Sequence, residues 1–146
     1  LKIRTAIDSA FYYAELSAEK ATMLKSKPLL AKSYFLLGYL FEITDDVPNT
    51  LKYYVGAKRI YEKLDNVYRL DDLDENLVKI AQDNDALEAA EFFAGNRLNY
   101  LIDLEDFKRR ADVYFDLGLI YKQGDQLESL IRISRTCYSK RYIRLL

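Results

Sequence analysis

Apolar residues recur along this chain at intervals of three and four, the period of helices packed on one face. Between Lys32 and Ile43, the residues Phe35, Leu36, Tyr39, Leu40 and Ile43 fall on one stripe. Strict alternation over a strand length is not sustained anywhere, so the pattern predicts an all-α chain. The expected helices run over about 1–26, with a break allowed near Ser17, and then 30–44, 48–65, 74–82, 86–94, 97–107, 109–122 and 126–138.

Two segments repeat one another. Tyr34-x-x-Leu37-Gly38-x-x-Phe41 and Tyr114-x-x-Leu117-Gly118-x-x-Tyr121 hold an aromatic, a leucine, a glycine and a second aromatic at identical intervals. Antiparallel helices that cross closely need a residue without a side chain at the crossing, which assigns Gly38 and Gly118 as crossing points. The frame resembles the tetratricopeptide repeat, with a period of about 34 residues, and Thr50-x-x-x-Tyr54 followed by Ala57 fits its second helix. Gly38 and Gly118 stand 80 positions apart, about twelve more than two such periods. The excess predicts an insertion in the acidic stretch Asn66 to Glu75, then a further repeat from about Asp85 with Ala89 at its crossing and Gly95-Asn96 as its turn. The expected architecture is one domain over 1–146 of degenerate tetratricopeptide-like helical hairpins wound into a right-handed superhelix.

Composition narrows the chemistry. Half of the 146 residues are apolar and 31% are charged, the profile of a packed globular domain, and no run approaches the length of a spanning helix, so no membrane partner is expected. There is no histidine, and Cys137 is the only cysteine, read as a small buried hydrophobe. Zinc sites and Ser-His-Asp or Cys-His catalysis are thereby excluded, and no enzyme activity, cofactor or metal is expected. A lone cysteine fits a reducing cytoplasm. A net charge of −1 gives no global pull toward nucleic acid. The chain opens on Leu1 without a signal segment, which predicts a piece of a longer protein. The run Asp71-Asp72-Leu73-Asp74-Glu75 lacks the spacing of a calcium loop and reads as a solvated loop in which Asp72 or Asp74 caps a helix. Asp45 and Asp46 read as turn residues. Arg132, Arg135, Lys140, Arg141 and Arg144, interleaved with Tyr138 and Tyr142, read as cations favouring a helix C-terminus, with a nucleic-acid patch or a subunit contact as alternatives.

Stacked helical hairpins create a concave surface, and residues there not needed for packing are the candidate contacts for a short linear peptide or protein segment. They are Lys32, Phe35, Tyr39 and Glu42 on the helix at 30–44, Asp112, Phe115 and Lys122 on that at 109–122, and Arg4, Asp8 and Tyr12 on the first helix. The 13 tyrosines suit such a surface, because an amphipathic ring fills a groove and still hydrogen-bonds a peptide backbone. The blocks Ala31-Lys32-Ser33-Tyr34-Phe35-Leu36-Leu37-Gly38, Phe93-Ala94-Gly95-Asn96, Tyr114-Phe115-Asp116-Leu117-Gly118-Leu119-Ile120 and Ser139-Lys140-Arg141-Tyr142-Ile143-Arg144-Leu145 resemble the peptide-sensing regulators of the Rap/Rgg/NprR/PlcR/PrgX class, and within it the C-terminal region of the AimR-like arbitrium receptors of temperate phages. The resemblance implies a regulatory domain of a phage or bacterial transcriptional regulator that senses a short communication peptide in a lysis-lysogeny or quorum-sensing decision. It further implies a homodimer, with DNA reached only through a region N-terminal to Leu1. The alternative is a generic repeat scaffold for protein–protein interaction.

Overall fold

A computed structural model describes residues 2–124, with side chains from Ala6 onward. Its six helices are α1 (Lys2–Met23), α2 (Lys27–Glu42), α3 (Val47–Lys63), α4 (Val67–Asp83), α5 (Leu87–Leu101) and α6 (Phe107–Gln123), and no strand occurs among the described residues. The predicted helix at 126–138, Cys137 and the C-terminal cations lie outside the described residues. The chain divides into two compact units, Leu1–Leu77 and Val78–Leu146.

One connection recurs. Lys25, Asp45, Asp65 and Asp85 adopt left-handed backbone conformations with φ of 50–57°, each twenty residues after the last. The next residue's N–H reaches back five positions: Ser26 donates to the Ala21 carbonyl at 2.9 Å, Asp46 to Phe41 at 3.0 Å, Asn66 to Tyr61 at 3.1 Å and Ala86 to Ala81 at 2.8 Å. This is the Schellman closure of a helix end. That same residue opens the following helix. The Asp46 carboxylate accepts the Asn49 N–H at 3.1 Å and Asn66 Oδ1 accepts the Arg69 N–H at 3.2 Å. The α5–α6 connection has no left-handed residue, yet Asp106 keeps the phase and caps α6 through the Arg109 N–H at 3.0 Å.

The twenty-residue interval corrects the expected insertion. Gly38 and Gly118 are separated by four such intervals, and the acidic stretch is not a loop but the first half of α4, where Asp71 and Asp74 are buried. Neither Asp72 nor Asp74 caps a helix, because α4 starts at Val67. Gly95-Asn96 is not a turn either; α5 runs through it, since the nearest chain reversals lie at Asp85 and beyond Leu101. The allowed break near Ser17 does not occur, because Ser17 bonds Ser33 of α2 at 2.8 Å rather than its own backbone's surroundings.

In unit 1, α2 packs between α1 and α3. Ala14, Leu37 and Leu40 form a buried cluster joined by Phe11, Tyr34 and Tyr53. At the α2–α3 crossing a Cβ on Gly38 would fall 2.4 Å from Tyr54 Cδ1, and one on Gly56 would fall 3.0 Å from Tyr34 Cδ2. Each helix thus offers its glycine to the other's tyrosine. Thr50, Tyr54 and Ala57 are buried on α3 as its frame predicts. Lys58 of α3 donates to both carboxylate oxygens of the fully buried Asp74, at 2.7 and 2.8 Å. In unit 2, Ala90, Ala94 and Leu101 of α5 pack with Val113, Leu117, Ile120 and Tyr121 of α6. Arg97, almost fully buried, pairs with Asp116 at 2.5 Å, and Tyr121 hydrogen-bonds Glu91. Gly118 does not act as a crossing among the described residues, where nothing lies within 4 Å of its would-be Cβ.

Three measurements test this account. Gly38→Ala should lower the urea midpoint, costing about 1–3 kcal/mol for overpacking against a buried ring, whereas Gly95→Ala, whose Cβ meets nothing within 4 Å, should gain about 0.5–1 kcal/mol. Lys58→Met should cost about 3–5 kcal/mol by taking the ammonium from a buried carboxylate, and adding Asp74→Leu should recover part of that loss. The Asn49 side-chain and backbone bonds hold the Asp46 carboxyl below its ordinary value of 3.8. A depressed folded pKa contributes stability above that value and loses it as pH falls through the folded one. Asp46→Asn, which still caps, should therefore flatten the acid limb of melting temperature against pH.

Candidate functional site

A recess of unit 1 is lined by α1, α2 and α3. It is an open cleft of about 420 Å³ lined by Glu15 and Ala18 of α1, Tyr34 and Leu37 of α2, and Lys52 and Tyr53 of α3. Glu15 and Ala18 sit three positions apart on one face of α1, and Tyr34 and Leu37 hold the same spacing on α2. The connections at Lys25 and Asp45 set these faces against one another.

Aromatic packing fixes the cleft wall. The Tyr34 and Tyr53 rings meet edge to face at 5.6 Å, and the far side of Tyr53 stacks on Phe41 at 5.4 Å and 9°. Phe41 is in turn held by Phe11 of α1 at 4.8 Å. The Lys52 ammonium stands 5.2 Å above the Tyr53 ring, a cation–π approach at a partly solvated site. Burial pushes the Tyr53 phenol above its ordinary range, with the Glu15 carboxylate and Tyr34 adding to the shift. The ring therefore stays a neutral hydrogen-bonding group at physiological pH. One carboxylate, one ammonium, two phenols and a small apolar floor give the cleft partners for a peptide backbone and for both of its terminal charges.

The candidate contacts separate into three groups. Phe35 and Glu42 are half-buried and serve Tyr54: Phe35 lies 5.6 Å from its ring, and the Glu42 carboxylate accepts its hydroxyl at 2.5 Å. Burial first, and then this hydrogen bond, drive the Tyr54 phenol far above its usual pKa. Lys32 and Tyr39 are exposed on the face of α2 that turns away from Tyr34 and Leu37. Asp8 and Tyr12 are exposed on α1, and the Arg4 side chain lies outside the described residues. In unit 2, Asp112 and Phe115 are exposed on α6, and Lys122 lines a shallow recess of about 460 Å³ with Gln82, Asp83, Leu119 and Gln123. None of these residues lines the α1–α3 cleft.

Glu15, Lys52 and Tyr53 are not among the sequence candidates, which lie on the two helices carrying the glycine frame and, on the first helix, at Arg4, Asp8 and Tyr12. Their signal was present as Phe11, Glu15 and Ala18 on one face of α1, but it becomes legible only once α1 is known to pack against α2 beside α3. The acidic run contributes to packing through Asp71 and Asp74, and no group of three ligating side chains gathers among the described residues. No protein-family model, no curated protein and no solved structure matches this chain.

Proposed function

We propose that this chain is a tetratricopeptide-like binding module that receives a short linear peptide in the α1–α3 cleft, as the sensing domain of a phage or bacterial transcriptional regulator. The observation that carries the reading is the cleft wall: two phenols that meet edge to face, one of them stacked on the half-buried Phe41, with a carboxylate and an ammonium among the lining residues. A neutral phenol donates to a peptide carbonyl and its face accepts an apolar side chain. The two opposite charges suit a ligand that carries both. The transcriptional role, and with it a DNA-reading segment elsewhere in the protein, rests on the resemblance of the glycine-frame blocks. Binding that favours one arrangement of α1, α2 and α3 over another is all the thermodynamics a switch requires.

Titration calorimetry and thermal shift against a panel of synthetic hexapeptides, including members ending in Arg-Gly-Ala, test the proposal. We expect at least one peptide to bind with a Kd of about 1–100 μM and to raise the melting temperature by mass action. Tyr53→Leu should weaken that peptide at least about tenfold, and Glu15→Gln or Lys52→Met about threefold to fivefold each. If no free peptide binds, or if binding is indifferent to all three substitutions, the cleft is not a peptide site and the chain is a scaffold for folded partners.

A further inference from the structure

The twenty-residue frame changes sign at one place. Of the four left-handed positions, Asp45, Asp65 and Asp85 are acidic, whereas Lys25 is a cation. Asp46 and Asp106 open α3 and α6 with a capping carboxylate, but α2 opens on Ser26, whose side chain makes no cap, and on Lys27. The positive end of a helix dipole disfavours a cation there. From Glu19 to Glu42 no acidic residue intervenes, the longest such stretch of the chain, and it holds Lys20, Lys25, Lys27 and Lys32. Lys20 pairs with Glu19 at 3.0 Å. The other three are exposed and make no ion pair among the described residues, so the stability of α2 does not account for them. The same helix is apolar on its outward side, where Leu29, Leu36, Tyr39 and Ile43 are each 38–50% exposed. With Lys32 they occupy positions 29, 32, 36, 39 and 43, alternating intervals of three and four. That is the seam along which one helix packs on another, narrower than the face a helix lying on a membrane presents.

We propose that the outward face of α2 docks an acidic amphipathic helix of a partner protein. The apolar side chains of that helix lie along Leu29, Leu36, Tyr39 and Ile43, as an amphipathic helix lies in an apolar groove. Its carboxylates meet Lys25, Lys27 and Lys32 at the N-terminal end of α2, where the helix dipole adds to the attraction. Charge complementarity selects this occupant. The cation-rich segment containing Arg132, Arg135, Lys140, Arg141 and Arg144 would bring like charge to the three lysines, so it is the poorer one. A nucleic-acid backbone would meet cations at one end of the seam and bare leucine, tyrosine and isoleucine along the rest. The apolar seam supplies most of the affinity, and the lysines set orientation and encounter rate, because exposed ion pairs are individually worth little. One helix laid on one face buries an area at the low end of specific interfaces, so the association is weak and reversible. The seam turns away from Tyr34 and Leu37, so the inference stands apart from the cleft and from what the cleft binds.

Fluorescence anisotropy of the full chain with labelled synthetic helices tests it. The probe is a helix of about three heptads with leucine at a and d and glutamate at e and g, whose like charges keep it from pairing with itself. We expect a Kd of about 10–100 μM at low salt, weakening with ionic strength. A probe with lysine in place of each glutamate, and an acidic probe scrambled to destroy the seam, should each bind at least about tenfold more weakly. Leu36→Glu should raise the Kd at least about tenfold, and Lys27→Glu and Lys32→Glu about threefold to fivefold each. Lys63→Glu makes the same charge change at an exposed position of α3 and should stay within about twofold. Far-ultraviolet dichroism confirms that each variant folds, and Lys32, being exposed, keeps the test open if Leu36→Glu does not. Equal binding of the three probes overturns the proposal, as does affinity unmoved by Leu36→Glu and Lys32→Glu. It is also overturned if these variants instead abolish binding to anionic phospholipid vesicles or duplex DNA that is tighter than binding to the acidic probe, or dissolve a self-associated species in sedimentation equilibrium.

Discussion

The left-handed residue that ends each of the first four helices is the constraint on which the rest of this chain depends. A helix cannot reverse direction within three or four residues unless one backbone position leaves the right-handed region, and here that position returns every twenty residues, at Lys25, Asp45, Asp65 and Asp85. Because the interval is fixed, α2 to α6 each begin at the same phase of the twenty-residue spacing. Tyr34 and Tyr54 hold that twenty-residue spacing, and each meets the glycine of the other's helix, Gly56 and Gly38 respectively. The chain does not use glycine for the reversals: no described glycine has a positive φ. Aspartate, which tolerates the left-handed region better than most residues, takes three of the four turns, and glycine is spent where α2 and α3 must touch.

Apolar packing alone would tolerate several pairings among helices of nearly equal length, and the buried polar groups discriminate among them. Tyr54 lies under α2 with its hydroxyl on Glu42 and its ring against Gly38, so sliding α3 along α2 by one turn would strand a buried phenol. Lys58 and Asp74 do the same for α3 and α4, and Arg97 and Asp116 for α5 and α6. Such pairs add little net stability, but removing the correct partner is costly, and that asymmetry selects the register.

The helical class was legible from the three-and-four spacing, and Gly38 was legible as a crossing because its aromatic frame repeats. The connections were legible as well, in Asp45-Asp46-Val47, Asp65-Asn66-Val67, Asp85-Ala86-Leu87 and Glu105-Asp106-Phe107, an acidic residue two positions before an apolar one every twenty positions. A period of about 34 predicts a loop in the acidic run, whereas the twenty-residue spacing places that run in α4. Asp71 and Asp74 misled for a physical reason: carboxylates this deeply buried are rare, and nothing in a single sequence places Lys58 beside them. Gly118 repeats the frame of Gly38 without meeting a ring among the described residues, because a frame reports a helix face and not what covers it. The cleft was only half legible, since Tyr34 belongs to the frame whereas Glu15, Lys52 and Tyr53 come from helices that neighbour it in space.

The two faces of α2 explain why one helix can serve two surfaces without compromising either. Tyr34 and Leu37 look into the cleft, whereas Leu36, Tyr39 and Ile43 look outward, so the surfaces share a backbone and no side chains. Between them Gly38 lies so close to Tyr54 that not even a methyl group fits, and Tyr54 is itself tied to Glu42 on α2. A packed contact with no slack transmits displacement rather than absorbing it. Tyr34 and Tyr53, which meet across the same two helices, are therefore held at their spacing by the contact that fixes Tyr54 against Gly38.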